Sequence, residues 1–394
     1  MNKTIYNFSL FVVCFTILWI PIQKLLIQID GAGRIPVVLS LVAIFINFQN
    51  IGKYCLHKPL SFYLLLSIYI FLNGLAFHSN QLYDSGFAGV FQLFRAVFVT
   101  PMIMLVVVVL CQQRFEKTLN VLTIIFLIYT ILSFFTMDTS SDRIRSAITN
   151  TNELVLMIFP TFPLLLVQYI NNRIKLIPLI CLELLVFIVV VLSGSRMGFG
   201  MALIVLLGAV MMLSRKRKAS SIIILVLLLI GIYVAINYVI DSTVVGARLA
   251  NTTTQMEGET GTFWDKLGDR GIQYYLSWPV FRNHPIFGIG FRQWESLGIT
   301  YYRLHSEYLV QYVELGFVGI TLFLLFFIGL LKKVYQCKKN KDDCYSKIAM
   351  VFFVSLLAIL FGNAVLWSYN SVGVFVIYGI SYSIFYSMNN KVYV

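Results

Sequence analysis

Apolar residues fill this chain in long blocks, each closed by a short polar or charged interruption, almost from one end to the other. Twelve such blocks can be counted, near residues 6–28, 35–50, 59–77, 86–111, 118–137, 153–170, 174–193, 197–213, 220–240, 307–331, 347–366 and 371–388. About 20 apolar residues in helical form cross a hydrocarbon core ~30 Å thick. A helix satisfies its own backbone in lipid, so the pattern predicts an all-α, polytopic membrane bundle of about twelve transmembrane helices. The first block is followed by polar "QKLLIQID" rather than a small-residue cleavage site, which predicts a retained helix and not a signal peptide. The whole of 1–394 reads as one transmembrane domain, and its one long connection, 241–306, is far above the usual loop length and therefore a candidate for function. No internal repeat is visible, which weakens a transporter built from inverted halves.

Composition agrees with this reading and narrows it. Hydrophobic residues make up 59% and charged residues 12%, against roughly 25% charged in soluble domains. The net charge of +13 invites a nucleic-acid reading until the charges are placed. With a cytoplasmic N-terminus, 18 of the 30 basic residues fall in inward connections, including "RKRK" at 215–218 and six lysines from Lys332 to Lys347. That is the positive-inside bias, and it predicts both termini in the cytoplasm, 241–306 outside, and no nucleic-acid partner.

The two sides also differ in kind. The inward residues are 14 Lys and 4 Arg, whereas the outward set is 9 Arg and 2 Lys: Lys24, Arg34, Arg143, Arg145, Arg196, Arg248, Lys266, Arg270, Arg282, Arg292 and Arg303. Lysine suffices for topology, but the planar guanidinium fork suits phosphate oxygens. The outer face therefore has the chemistry to hold a phosphorylated ligand. None of the six cysteines falls in an outward loop, so no disulfide framework is implied.

Three outward stretches carry candidate chemistry. In "LSGSRMGFG", Arg196 follows a small-residue turn at the start of a helix. It is either a guanidinium reaching to headgroups or a phosphate ligand beside free helix N–H groups. In "GDRGIQYYLSWPVFRNHP", apolar residues at 272, 275, 276 and 278–279 predict a short amphipathic helix on the membrane surface, with Asp269 as N-cap and a stop at Pro285. Its aromatics are either an interfacial anchor or a floor for lipid or sugar, with Arg270 as a second phosphate ligand. In "HSEYLVQYVELGFVGI", His305 is either a polar helix end or a general base, the role for which a group titrating near 6.5 is suited. Glu307 is a candidate to orient it, and Glu314 a candidate cap near Gly316 and Gly319.

Arg95 and Glu183 lie mid-span, where charges pair or line a polar cleft. An Arg95–Glu183 pair is one expectation, and Arg95 deep in a substrate cleft the other. The chain has no P-loop, no G-x-S-x-G elbow and no Asp-x-Asp or His/Cys metal spacing, so neither metal nor cofactor is expected and the energy must arrive with the substrate.

Taken together, the three blocks in this order, with "NTNEL" (150–154) before the sixth span, resemble the O-antigen ligase/O-antigen polymerase superfamily of bacterial membrane glycosyltransferases. The resemblance implies a GT-C-like enzyme of the bacterial cytoplasmic membrane whose site faces the periplasm. It implies metal-independent, inverting transfer of glycans carried on undecaprenyl pyrophosphate. Carried over by position, Arg196 and Arg270 would grip the pyrophosphate and His305 would activate the acceptor hydroxyl. Arg143, Arg145, Asn152, Glu153 and Arg95 are further candidate substrate contacts. Ser306 departs from the family, where Asn often follows the histidine. A polymerase of lipid-linked repeat units is the favoured expectation; a ligase acting on lipid A core, a peptidoglycan polymerase and a lipid-linked polysaccharide flippase are the alternatives. A chain-length regulator or flippase and the membrane lipids are the expected partners.

Overall fold

The computed structural model describes residues 2–23, 34–76, 93–138, 145–146, 151–213, 269–298, 304–337, 343–364, 366 and 371–389. Within them the chain is helical: α1 Lys3–Ile22, α2 Arg34–Ile46, α3 Phe48–Cys55, α4 Leu60–Ala76, a π turn Arg95–Val99 and α5 Thr100–Phe135. Then follow α6 Thr151–Ile158, α7 Thr161–Ile170, α8 Leu176–Leu192, α9 Arg196–Leu213, α10 Asp269–Asn283 and a 3-10 turn Trp294–Leu297. A helical turn Glu307–Leu309 runs on as a π turn Val310–Glu314, ahead of α11 Gly316–Cys337, α12 Asp343–Gly362 and α13 Val372–Asn389. The all-α expectation holds, with a two-residue antiparallel pair joining Met137–Asp138 to Arg145–Ser146, Asp138 opposite Arg145.

Helices occupy eleven of the twelve expected spans, but not as eleven full-length rods. Among the described residues four helices, or five with one bent pair, are long and apolar enough to cross a membrane. Lys3–Trp19, Leu60–Ala76, Leu176–Leu192, Met197–Val210 and Val372–Tyr386 are shorter apolar helices. The block at 220–240 and residues 241–268 of the long connection lie outside the described residues.

Three expected spans differ in form. The block at 35–50 is divided into α2 and α3 by a 78° bend. The blocks at 86–111 and 118–137 follow each other within α5 as two helices joined at a kink. Arg114 makes the break, with φ −148° and ψ 71°. The Thr118 hydroxyl collects the carbonyls of Arg114 (2.8 Å) and Leu110 (3.2 Å) at this break, and Tyr6 of α1 approaches that hydroxyl at 3.0 Å. One residue thus replaces the polar connection that the charges at 114–117 predict.

The bundle is packed around α5, α12 and α13, with α13 and α1 against α5 and α9 along α12. Close approach relies on missing side chains. A Cβ at Gly198 would stand 2.5 Å from Val155, and one at Gly362 would stand 2.5 Å from the Met201 sulfur, so α9 is pressed onto both α6 and α12. Between α5 and α7, buried polar pairs cross the interior: Gln168 donates to the Thr123 hydroxyl at 2.9 Å, and Thr130 meets Thr161 at 3.2 Å. Small residues and interhelical hydroxyl bonds are the usual adhesive where lipid is as apolar as the helix surface.

Candidate functional site

The site is assembled at one end of α12. The last turn of α12 leaves carbonyls without helical partners, and the segment that begins at His305 takes them. The Glu307 N–H donates to the carbonyls of Asn363 (3.0 Å) and Leu366 (3.2 Å). Ser306 Oγ donates to the Asn363 carbonyl at 3.1 Å and also caps its own helix, accepting the Leu309 N–H at 3.4 Å. Tyr308 Oη reaches back to the Leu360 carbonyl at 2.7 Å. A serine at 306 is thus a helix N-cap that fits this place, and the departure from Asn preserves capping chemistry.

Helix α10 docks on the same segment. Gln273 Oε1 accepts the His305 backbone N–H at 3.3 Å. The next residue, Tyr274, places its hydroxyl 2.9 Å from Ser306 Oγ and donates to the Ala364 carbonyl at 2.6 Å. The first turn of α10 contains Arg270, so the backbone carrying this arginine lies one turn before the residue that holds His305.

The face of α10 that meets the protein is polar, and the expected aromatic face is the outward one. Gln273 and Ser277, one turn apart, are each 2% exposed, whereas Tyr275 and Trp278 are 63% and 60% exposed. The helix turns its polar stripe and Tyr274 inward, and Tyr275 and Trp278 outward. It also begins at Asp269 as a helical residue, accommodates Pro279 and ends at Asn283. Gln273 and Tyr274 are the residues that sequence reasoning missed; the polar pair at 273 and 277 was the available signal.

At the start of α9, Gly194 turns the chain with φ 67°, and Ser195 Oγ accepts the Gly198 N–H at 3.2 Å as the cap. Arg196 is the first residue of the helix, rather than a residue of the turn itself. Its first turn abuts Val155 of α6, the "NTNEL" helix, and its second meets α12, where a Cβ at Gly200 would stand 2.8 Å from Phe361. Asn152 and Glu153 are at the N-terminal end of α6, Asn152 partly exposed and Glu153 exposed. The backbones of the Arg196, Asn152–Glu153, Arg270 and His305 segments are therefore joined through α6, α9 and the end of α12. Arg145 sits in the antiparallel pair, Arg95 opens a π turn packed on α2, α4 and α5, and Arg143 lies outside the described residues, as do the side chains of Arg95, Arg145, Arg196 and Arg270.

A second element supports the segment from below. The chain "IFGIGF" folds against the end of the Val310–Glu314 turn: the Gly290 N–H donates to the Glu314 carbonyl at 2.9 Å, and the Ile289 N–H to that of Val313 at 3.1 Å. Gly288 and Gly316 face each other, both with φ near 70°, and a Cβ on either would overlap the other strand's backbone. From α4, Asn73 donates to the Phe287 carbonyl and accepts the Phe291 N–H, each at 2.8 Å, while Tyr69 donates to the Leu315 carbonyl at 2.8 Å. Glu314 completes this clamp by accepting the Arg292 N–H at 2.8 Å. Burial pushes its carboxyl up to about 7, partly offset by the Arg292 and Trp294 N–H groups and the Arg292 charge. Arg292 is held at φ 60°, a left-handed conformation that costs a non-glycine residue free energy.

Glu307, the residue expected to orient His305, is 1% exposed and accepts from Gln311 one turn further on, at 2.9 Å. The Glu183 carboxylate finds no hydrogen-bond partner among the described residues. No group of three His, Cys, Asp or Glu side chains among the described residues is arranged to hold a metal ion, and all six cysteines are free thiols.

No curated protein matches the chain. A family model does: residues 181–324, which run from α8 through the Arg196 and Arg270 segments and past His305, match the model described as O-antigen ligase, consistent with the O-antigen ligase/polymerase superfamily and with a membrane enzyme of glycosyltransferase type.

Proposed function

We propose that this protein is a surface-polysaccharide polymerase: it joins oligosaccharide repeat units carried on undecaprenyl pyrophosphate, at the outer face of the bacterial cytoplasmic membrane. The observation that carries the proposal is the docking of α10 on the His305 segment through Gln273 and Tyr274, beside the α12 end against which α9 packs. A phosphate-binding residue type and a base residue type are thereby placed on interlocked pieces of backbone.

In this reading the acceptor hydroxyl attacks the anomeric carbon of the donor glycan from the side opposite the pyrophosphate. The carbon–oxygen bond to pyrophosphate breaks, its electrons leave with the lipid pyrophosphate, and the acceptor proton passes to the His305 imidazole. Arg196 and Arg270 balance the charge that grows on the leaving group, a preorganised electrostatic role. Each charge-assisted hydrogen bond of that kind is worth about 1.5–3 kcal/mol. The donor carries its own activation, so no nucleotide is required. Inversion at the anomeric carbon follows from the single displacement.

The test uses purified protein in nanodiscs with lipid-pyrophosphate-linked repeat units as sole substrate. A product ladder is expected from wild type and none from His305→Ala. A ligase is the second reading, favoured by the description of the matching family model; it gives no ladder and transfers only when lipid A core is supplied. A ladder whose new linkages keep the donor's anomeric configuration would refute the displacement mechanism.

A further inference from the structure

We propose that Tyr274 is a positioning residue, whose hydroxyl fixes the His305 segment relative to the helix that carries Arg270 in its first turn. The inference rests on the reading of His305 as base and Arg270 as pyrophosphate ligand given above. It concerns how two parts of that site are kept in register, since misplacement by about 1 Å can cost ~100-fold in rate.

His305 is gripped on both sides through its backbone and its neighbour. Its N–H is taken by Gln273, and the following Ser306 is held by Tyr274 and by the Asn363 carbonyl. Tyr274 touches both partners, Ser306 and the α12 end at Ala364. Two hydroxyl protons, those of Tyr274 and Ser306, serve three close oxygen contacts at 2.9, 2.6 and 3.1 Å. The three contacts thus share their protons within one polar network, of the kind that specifies one arrangement when its members are present. Its neighbour Tyr275 has the same side chain and points outward, so the geometry singles out the hydroxyl at 274 and not tyrosine as such.

The experiment measures two properties of the full chain in nanodiscs for wild type, Tyr274→Phe, Ser306→Ala, Ser306→Thr and His305→Ala. Phenylalanine keeps the ring and removes only the hydroxyl. The first property is amide exchange of peptides covering 304–309: Tyr274→Phe is expected to speed it about tenfold, the equivalent of one lost hydrogen bond, with the peptides of α5 and α13 unchanged. The second is turnover on lipid-linked repeats: Tyr274→Phe and Ser306→Ala are expected to lower kcat about tenfold with donor KM within about twofold, and Ser306→Thr to recover it. Unchanged exchange at 304–309 overturns the proposal whatever the activity. So does a wild-type kcat in Tyr274→Phe when His305→Ala is inactive. A wild type that makes neither ladder nor core-linked product removes the functional reading instead, and the exchange result then still decides whether Tyr274 holds the His305 segment.

Discussion

At the scale of single residues, the buried carboxyl of Glu314 gives a signed expectation. Its titration is raised from an ordinary 4.5 to about 7, so between those values the folded protein holds a proton that the unfolded chain has released. Stability contributed by this group is therefore full below about 4.5 and declines as pH rises through 7. Glu314→Gln keeps an oxygen for the Arg292 N–H and removes the titration. Thermal melts from pH 4.5 to 8 are expected to fall more steeply for wild type than for Glu314→Gln, and parallel curves would show that the group does not couple to folding. Arg270→Lys makes a different point at the same scale. A lysine keeps the charge and loses the fork, and activity is expected to drop at least tenfold while the melting temperature is kept. Wild-type turnover by that variant would remove bidentate phosphate recognition from the account.

Elements were legible in proportion to how far lipid dictates them. A run of apolar residues long enough to cross a bilayer has few alternatives, so the helices at 59–77, 174–193 and 371–388 stand where the sequence pattern puts them. The join at Arg114 was not legible, because a charged stretch at 114–117 looks like a connection whether the chain leaves the helix for six residues or for one. Nor was the inward face of α10. The pattern at 272–279 predicts an aromatic face for the membrane surface, and Tyr275 and Trp278 face out accordingly, but it does not single out the residues that meet the carbonyl-rich end of α12. Tyr274 and Tyr275 are identical letters, and only the docking separates them. His305 and the arginines stood out by residue type, and what held them did not. Packing between elements is also testable: the α9–α6 contact leaves no room at Gly198. Gly198→Ala is expected to lower stability by about 1–3 kcal/mol through overpacking, and adding Val155→Ala is expected to restore part of it in the same thermal melt.

For the whole molecule, the separation of lysine and arginine makes topology the property to measure. The lysine-rich connections and the face that carries His305 are expected on opposite sides of the membrane. In a background with the six cysteines replaced by serine, a cysteine at Arg282 is expected to react with an impermeant maleimide on spheroplasts. One at Lys216 is expected to react only after the membrane is opened. Labelling of Lys216→Cys on intact spheroplasts would invert the orientation and take the candidate site to the cytoplasm.

The bonds that seat His305 also impose an order of events during synthesis. Ser306 depends on a carbonyl 57 positions later in the chain, and Tyr274 on one 90 positions later. When His305 leaves the ribosome, Gln273 and α4 are already made, but the carbonyls at the end of α12 are not, and that half of the seat waits until α12 has entered the bilayer. The nascent protein therefore holds the His305 segment from one side until then, and a ribosome that stalls before Asn363 leaves behind an embedded polypeptide whose candidate site was never closed.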